Sequence, residues 1–135
     1  MSTLSPNKPL LLDTHTLLWW LLDSPELSAV AKAAIARGEQ RVLVSTASSW
    51  ELAIKHKLGK LPFAADIVEN LPRYLRKERF DVLPIGLDHT LAAGALPGPH
   101  RDPFDRMLIA QSQTDKLQLV SRDVVFADYG VDVLC

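Results

Sequence analysis

The sequence contains one cysteine and no excess of charge of either sign. The single cysteine, Cys135, is the last residue, so no internal disulfide can form, and we expect a reducing compartment such as the cytoplasm. Fifteen Lys and Arg residues stand against 16 Asp and Glu residues, which gives a formal net charge of −1. The whole molecule therefore generates no field that would attract nucleic acid or membrane, and any polyanionic partner must be bound by a local patch.

Long hydrophobic runs are also missing. The longest apolar stretch near the start is interrupted by Asp13 and His15, so it fits neither a signal-peptide core nor a span of about 20 apolar residues. With 135 residues, of which 47% are hydrophobic, the chain is long enough to bury a core but short for two domains. We therefore predict one domain over residues 1–135, with no membrane contact and with residues 1–9 as a loose N-terminal extension.

Short apolar runs alternate along the chain with longer helical patterns. Strand follows helix repeatedly, which predicts a parallel, three-layer α/β sheet with right-handed crossovers. The predicted strands cover residues 10–12, 42–44, 82–83, 117–120 and 131–134. The predicted helices cover residues 14–22, 27–37, 46–58, 64–77 with a break at Pro72, 88–95 and 103–115, and a short turn or helix follows Asp123.

Four acidic residues lie where the predicted strands give way to helices. Asp13 ends the first strand, Glu51 lies in the helix after the second, Asp105 opens the helix from residue 103, and Asp123 follows the fourth strand. The carboxyl ends of parallel strands share one edge of the sheet, where ligands of such folds bind. Because carboxylates that cluster there repel one another unless a cation neutralises them, we predict a site for Mg²⁺ or Mn²⁺.

Each acid also has an ordinary structural interpretation. Asp13 and Asp123 are suited to cap the helices that follow them, and Asp105 stands in a first helical turn, where acids are favoured. Ser48 and Glu51 match a capping box. Taken singly, these interpretations are as good as the metal-binding one, and only the coincidence of all four acids at one edge favours the metal site.

Glu51 is the acid that a capping role explains least well. Its helix should begin at Ser45 or Thr46, which places Glu51 beyond the capping turn. It also adjoins Trp50 and Ile54 on the apolar face of that helix, and we expect Trp50 to lie in the core. An acid that points toward buried surroundings needs a functional reason.

Four segments of the chain, in this order and spacing, resemble the PIN-domain ribonucleases, and among them the VapC-type toxins of bacterial toxin–antitoxin pairs. The segments are LLLDTHTLLWW at 10–20, STASSWELAIKHKLGKL at 45–61, HRDPFDRMLIAQ at 100–111 and LVSRDVVFADYGV at 119–131. The resemblance implies a three-layer α/β/α PIN-like fold with a central, mainly parallel sheet. It assigns metal binding to Asp13, Glu51, Asp105 and Asp123, and supporting hydroxyl groups to Thr14, Ser45 and Ser121. Asp102, also in DPFD, is interpreted as a helix cap.

The resemblance also implies an activity and partners. It implies a metal-dependent endoribonuclease that cleaves single-stranded or loop RNA and leaves a 5′ phosphate, with Mg²⁺ or Mn²⁺ activating the attacking water. Asp13, Glu51 and Asp105 would be the main anchors, and Asp123 would hold a second or water-mediated ion. It further implies a homodimer and a VapB-type antitoxin that neutralises the toxin and makes any contact with DNA.

Substrate contacts are predicted from the basic residues, each with a structural alternative. Arg101 and Arg106 flank the acids and could hold phosphate, although Arg106 could equally pair with a neighbouring acid. The basic run at 73–79 fits a solvated helix face better than an RNA track. Lys55 stands four residues after Glu51 and should pair with it. His100 is expected to make a loop hydrogen bond.

The apolar run from Leu17 to Leu22 is wider than the stripe of an ordinary surface helix. Within it Trp19 and Trp20 point about 100° apart, so either one tryptophan covers a protein interface or the helix is fully buried.

Two other functions compete with the nuclease. A phosphatase or phosphotransfer domain of similar build would need a second acid two residues after its nucleophile, whereas Asp13 is followed by Thr14 and His15. A non-catalytic RNA- or protein-binding module would not need four acids at one edge, which cost stability unless they are used.

Overall fold

Five parallel strands form the centre of the part of the chain that the computed structural model describes, which is residues 3–5, 7–98 and 102–135. The strands stand in the order β3-β2-β1-β4-β5. Their bounds are β1 Leu10–Leu12, β2 Val42–Ser45, β3 Asp81–Leu83, β4 Gln118–Val120 and β5 Val133–Leu134. This sheet, with helices on its faces, confirms the predicted three-layer α/β fold.

The helices agree with the sequence prediction to within a few residues at most ends. Their bounds are α1 Thr14–Leu21, α2 Ala29–Arg37, α3 Thr46–Lys57, α4 Ala65–Glu69, α5 Leu71–Glu78, α6 Leu87–Ala95 and α7 Pro103–Thr114. Short 3₁₀ turns cover Pro62–Ala64 and Val124–Tyr129. None of the helices in the described residues has the length and apolar composition needed to cross a membrane.

The predicted helix over 64–77 is interrupted, but not at the proline. α4 ends before Asn70, and Pro72 occupies the second position of α5. A proline is tolerated there because the amide hydrogens of the first helical turn have no partner within the helix. The break therefore lies two residues earlier than the sequence predicted.

Alternate side chains of the strands face two separate apolar clusters. Leu10 and Leu12 contribute to a cluster under α1, α2, α4 and α5, whereas Leu11 contributes to one under α7 and the 3₁₀ turn Val124–Tyr129. All three residues of β1 are fully buried. Burial on both faces is typical of a central parallel strand, which explains why β1 is uniformly apolar.

The register of the strands sets the positions of the polar residues that follow them. Leu12 pairs with Val44 on one side and with Val120 on the other. The next residues in each strand or loop, Asp13, Ser45 and Ser121, therefore lie side by side. We call this border of the sheet the carboxyl edge.

The described part of the N-terminal segment contacts the opposite border of the sheet. The Ser5 amide donates to Gln118 Oε1 at 3.0 Å, and Gln118 Nε2 donates to the Thr3 carbonyl at 2.6 Å. Lys8 Nζ lies 3.0 Å from Asp132 Oδ2. A buried glutamine must satisfy its amide group, and the segment supplies the partners that it needs.

Candidate functional site

Asp13 caps α1 and also accepts a hydrogen bond from the neighbouring strand connection. Its side chain caps α1, because Oδ1 accepts a hydrogen bond from the Thr16 amide at 2.7 Å. Its other oxygen, Oδ2, accepts one from Ser121 Oγ at 2.5 Å. The residue is only 7% exposed. A cap requires one carboxylate oxygen, so the second is held toward the carboxyl edge by a hydroxyl group from the neighbouring strand connection.

Glu51 is buried in the second turn of α3, as its apolar surroundings predicted, with 9% of its surface exposed. Thr14 Oγ1 lies 2.6 Å from Glu51 Oε1 and shares a further hydrogen bond of 3.0 Å with Ser48 Oγ. Lys55 Nζ lies 2.8 Å from Glu51 Oε2, which confirms the predicted pair. Both oxygens of this carboxylate are therefore held by side chains.

The start of α3 differs from the predicted capping box. Ser45, not Ser48, is the cap: its hydroxyl accepts from the Ala47 amide at 3.0 Å. Ser48 lies within the helix and is fully buried. Ser45 thus sets where α3 begins and thereby the direction in which Glu51 points.

Asp102 and Asp105 stand at the start of α7. Asp102 Oδ1 accepts from the Phe104 amide at 2.9 Å and from the Asp105 amide at 3.3 Å, which confirms its interpretation as a cap. Asp105 stands in the first turn, partly buried. Because the capping role is taken by Asp102, the carboxylate of Asp105 is not required for the helix start.

Asp123 is exposed and caps the 3₁₀ turn that follows it. Its Oδ1 accepts from the Val125 amide at 3.1 Å. Its own amide donates to Ser121 Oγ at 3.0 Å. Ser121, which also donates to Asp13, therefore joins the backbone of Asp123 to the carboxylate of Asp13.

The carboxyl edge carries two hydroxyl-linked networks. One joins Asp13 through Ser121 to the start of Asp123, and the other joins Thr14 to Glu51. No three of the predicted acids have donor atoms all within 4.8 Å of one another in the described residues. Thr14 follows Asp13 directly in the chain, so the two networks adjoin. The predicted supporting hydroxyl groups of Thr14 and Ser121 both contact a predicted acid.

A closer group of ligand-type side chains lies elsewhere, and the sequence did not reveal it. Among the described residues, only Asp88, His89 and Asp115 place their donor atoms within 4.8 Å of one another. The group joins the start of α6 to the end of α7. Ten residues of helix, which rise about 15 Å, separate Asp115 from Asp105.

Hydrogen bonds already occupy both ring nitrogens of His89 in this group. Nδ1 accepts from the Gly86 amide at 2.9 Å, and Nε2 lies 3.1 Å from Asp115 Oδ1. The ring is buried. A histidine whose two nitrogens are both used in this way ties α6 to α7 and has no lone pair to offer a metal.

Of the basic residues predicted to bind substrate near the acids, the structure describes Arg106 but not Arg101. Arg101 and His100 lie outside the described residues. The guanidinium of Arg106 donates to the carbonyl of Ala93 at 3.2 Å and to that of Leu96. These carbonyls belong to the end of α6, so Arg106 holds α6 against α7, and its contact with phosphate stays a prediction.

The basic run over residues 73–79 lies on and just after α5. Its members Arg73, Arg76, Lys77 and Arg79 are exposed. Arg73 stacks over the Tyr74 ring at 5.9 Å. The hydroxyl of Tyr74 donates to Asp66, and this bond raises the pKa of Tyr74 above its usual value.

Trp50 is exposed, unlike the sequence prediction, whereas Trp19 and Trp20 are partly buried. Trp50 is 61% exposed, with an edge contact of 5.3 Å to the Phe104 ring, so its assignment to the core was wrong. On α3 it points about 100° away from Glu51, toward an exposed side of the helix that borders the start of α7. Trp19 and Trp20 are partly buried against the core, and Trp20 Nε1 donates to Glu78 Oε1 at 2.6 Å.

The donor set of the carboxyl edge fits a hard divalent cation. Asp13 and Glu51 are buried carboxylates from different elements, and Asp105 and Asp123 add two more at the starts of neighbouring turns. Oxygen atoms are the ligands that Mg²⁺ and Mn²⁺ prefer. Every carboxylate oxygen has two lone pairs, so the hydrogen bonds to Asp13 and Glu51 leave capacity for a metal.

Comparison with known proteins gives a consistent result. In sequence the chain is 29% identical over 117 residues to ribonuclease VapC22 of Mycobacterium tuberculosis, covering 84% of this chain and 85% of that protein. It is 34% identical over 73 residues to ribonuclease VapC16 of the same organism, about half of each chain.

The fold also matches solved structures at low sequence identity. VapBC2 from Rickettsia felis, bound to a DNA fragment from its promoter, superposes with a TM-score of 0.70 at 14% identity, covering 93% of this chain and 96% of that one. FitAcB from Neisseria gonorrhoeae gives 0.69 at 19% identity, with the same coverage of both chains. The model of the PIN domain family matches residues 10–132, which include the first four of the five strands and all four predicted acids. The chain therefore belongs to the PIN domain family.

Proposed function

We propose that this protein is the endoribonuclease toxin of a toxin–antitoxin pair and that it cleaves RNA at the carboxyl edge. The observation that carries the proposal is that Asp13 and Glu51 are both buried at the carboxyl edge, each with a hydrogen bond from a hydroxyl group. Ligands of parallel α/β sheets bind at this edge. Membership of the PIN family and the ribonuclease names of two relatives support it.

Asp13, Glu51, Asp105 and Asp123 would hold one or two Mg²⁺ or Mn²⁺ ions. When bound, the ion supplies positive charge that activates water and stabilises the negative charge on the phosphate. The overall reaction adds water across the phosphodiester: the bond from phosphorus to the 3′ oxygen breaks, leaving a 3′ hydroxyl and a 5′ phosphate. Single-stranded or loop RNA is the substrate that we expect.

The chain's own residues orient these carboxylates. Thr14 fixes Oε1 of Glu51, and Ser121 fixes Oδ2 of Asp13. Hydroxyl groups from fixed strand ends hold ligands in one orientation before the substrate arrives, which reduces the reorganisation that binding would otherwise require. Thr14 and Ser121 therefore act as positioning residues in this proposal.

The proposed protein partners are an antitoxin and a second copy of this chain. An antitoxin that inserts a basic side chain among the acids would block the site, and it would make the contacts with DNA that this chain's net charge of −1 does not favour. The lone Cys135 fits action in the cytoplasm.

A second copy would cover apolar side chains on two neighbouring helices. Trp50 and Ile54 on α3, and Leu87 and Leu91 on α6, are exposed one turn apart on each helix, and both helices pack against α7. Light scattering after gel filtration tests this: Leu91→Asp should give a monomer, while Val30→Asp, at an exposed position of α2, should stay dimeric. A monomeric wild-type protein at micromolar concentration would contradict the dimer.

The nuclease is tested by incubating the purified, antitoxin-free chain with total cellular RNA in Mn²⁺, Mg²⁺ or EDTA. We expect discrete cuts that EDTA and Glu51→Gln both abolish. Glu39→Gln is the matched control, because Glu39 is exposed and precedes β2 at the opposite border of the sheet. Equal cutting by the wild type and Glu51→Gln would reject the site, and no cutting by a folded, metal-binding protein would favour a binding module.

A further inference from the structure

The carboxylate of Glu51 has a different partner on each oxygen. Oε1 accepts from the Thr14 hydroxyl at 2.6 Å, and Oε2 lies 2.8 Å from the ammonium of Lys55. The hydroxyl group is neutral and belongs to a buried residue of α1, whereas the ammonium carries a full charge. Glu51, the one acid of α3, therefore already has a cation of the chain's own beside it.

An ammonium in this position opposes a divalent ion at the same carboxylate. Two positive charges a few ångströms apart repel strongly where a partly buried surface reduces screening by water. Oε2 keeps a second lone pair, but an ion that coordinated it would lie within a few ångströms of the Lys55 ammonium, which is 2.8 Å from the same oxygen. The ion and the ammonium of Lys55 are therefore competitors for Glu51.

Lys55 is able to withdraw from Glu51. Its side chain is 33% exposed, while that of Glu51 is buried. A lysine side chain is a flexible four-carbon stem with a compact, strongly hydrated charge, so its ammonium can move to solvent at little cost. Glu51 cannot follow, because Thr14 holds its other oxygen.

We propose that Lys55 is an internal competitor that sets the affinity of the site for its divalent ion. While no ion is bound, its ammonium neutralises Glu51 and holds the carboxylate in place; when an ion binds, the ammonium leaves. Lys55 is thus a positioning residue, and the fraction of molecules in which it has withdrawn scales the apparent affinity. This inference rests on the proposed function, since it requires that Glu51 bind the metal.

The proposal predicts an effect opposite to that of an ordinary supporting residue. Removing a residue that merely stabilises Glu51 would weaken metal binding or leave it unchanged. Removing a competitor strengthens it. We expect Lys55→Met, which keeps most of the stem and removes the charge, to tighten Mn²⁺ binding by about five- to tenfold.

Isothermal titration of the full chain with Mn²⁺ tests this without any measurement of activity. Lys55→Arg should restore an affinity close to that of the wild type, because it restores the charge. Lys57→Met is the matched control: it removes the same charge from the same helix, but residues two positions apart do not share a helix face. Its affinity should stay within twofold of the wild type, and Glu51→Gln should bind much more weakly.

The outcomes separate this inference from the proposed function. Unchanged or weaker binding by Lys55→Met, with binding by the wild type intact, would overturn the inference alone. Equal tightening by Lys57→Met would also overturn it, because net charge would then explain the effect. No Mn²⁺ binding by the wild type or by Lys55→Met, both folded, would overturn the metal site itself.

Discussion

Two groups of acidic residues lie near opposite ends of α7, and they differ in what their hydrogen bonds leave available. At the carboxyl edge, Asp13 and Glu51 are buried acids from separate elements that accept hydrogen bonds from hydroxyl groups. At the other end, Asp88, His89 and Asp115 lie closer to one another. In that second group, however, His89 uses both ring nitrogens to hold α6 and α7 together.

Short distances between ligand atoms therefore do not by themselves make a metal site. The closer group is a finished hydrogen-bond network, in which a metal would have to replace bonds that stabilise the fold. The carboxyl edge gathers negative charge whose oxygens keep unused lone pairs. We therefore expect the two groups to respond in opposite ways to metal and to mutation.

The largest expected difference is in RNA cleavage. Asp13→Asn should lower metal-dependent cleavage by about 100-fold or more, because it removes a charged ligand while the amide still caps α1. Asp115→Asn makes the same chemical change in the second group and should leave the rate within about twofold. Initial rates on a defined RNA substrate measure both. A similar loss in both variants would remove the distinction between the two groups.

The next difference is in stabilisation by metal. A ligand that binds only the folded state stabilises it by about 2.7 kcal/mol when its concentration is 100 times its dissociation constant. Thermal melts of the wild type should therefore shift upward with Mn²⁺, and Asp105→Asn should lose most of the shift. Asp88→Asn should keep it. A shift that depends on Asp88 and not on Asp105 would place the metal in the second group and contradict a site at the carboxyl edge.

In the absence of metal, mutations in the second group should lower the free energy of unfolding more than mutations at the carboxyl edge. Asp115→Ala leaves the buried Nε2 of His89 without its acceptor, so we expect a loss of about 1–3 kcal/mol in the free energy of unfolding. Asp115→Asn should lose less, because its amide oxygen can accept the same hydrogen bond. Urea unfolding measures the free energy of each. An unchanged stability in Asp115→Ala would mean that this network is not structural.

The smallest effect concerns Asp132, which lies outside both groups and, like Glu51, has a lysine and a hydroxyl group as partners. Partial burial alone would raise the pKa of Asp132, but hydrogen bonds from Ser5, Lys8 and Gln118 hold that pKa below its usual value of 3.8. Its contribution to stability is therefore present above pH 3.8 and is lost as the pH falls through the lowered pKa.

Asp132→Asn tests this contribution. At pH 7 the variant should be less stable than the wild type by under about 1 kcal/mol, because the ion pair is partly solvated. The difference should shrink as the pH falls below 3.8, which urea unfolding at several pH values would record. A difference that grows toward low pH would contradict the assignment.

The fold was largely predictable because its signals are local. Three consecutive leucines at 10–12 are typical of a strand that is buried on both faces, and the predicted end of the second helix at residue 37 agrees with α2, which Gly38 follows with a positive φ. The position of the break near Pro72 was not predictable. Whether a proline ends one helix or opens the next depends on how the following turn packs, and here Leu71 is buried at the start of α5.

The candidate site was predictable where the chain itself fixes the geometry. Glu51 stood out as an acid beyond the cap of its helix, and the spacing of four residues predicted its pair with Lys55. The contact between His89 and Asp115 spans 26 residues and depends on how α6 lies against α7. Trp50 was misassigned because a sequence does not show that this side of α3 is exposed.

The most direct test of the central claim is to locate Mn²⁺ by anomalous X-ray diffraction from crystals of the wild-type protein soaked in the ion. We expect an anomalous peak at the carboxyl edge, with oxygens of Asp13 and Glu51 about 2.2 Å from it, a distance between those typical of Mg²⁺ and Ca²⁺. A peak at Asp88, His89 and Asp115, with none at the carboxyl edge, would contradict it.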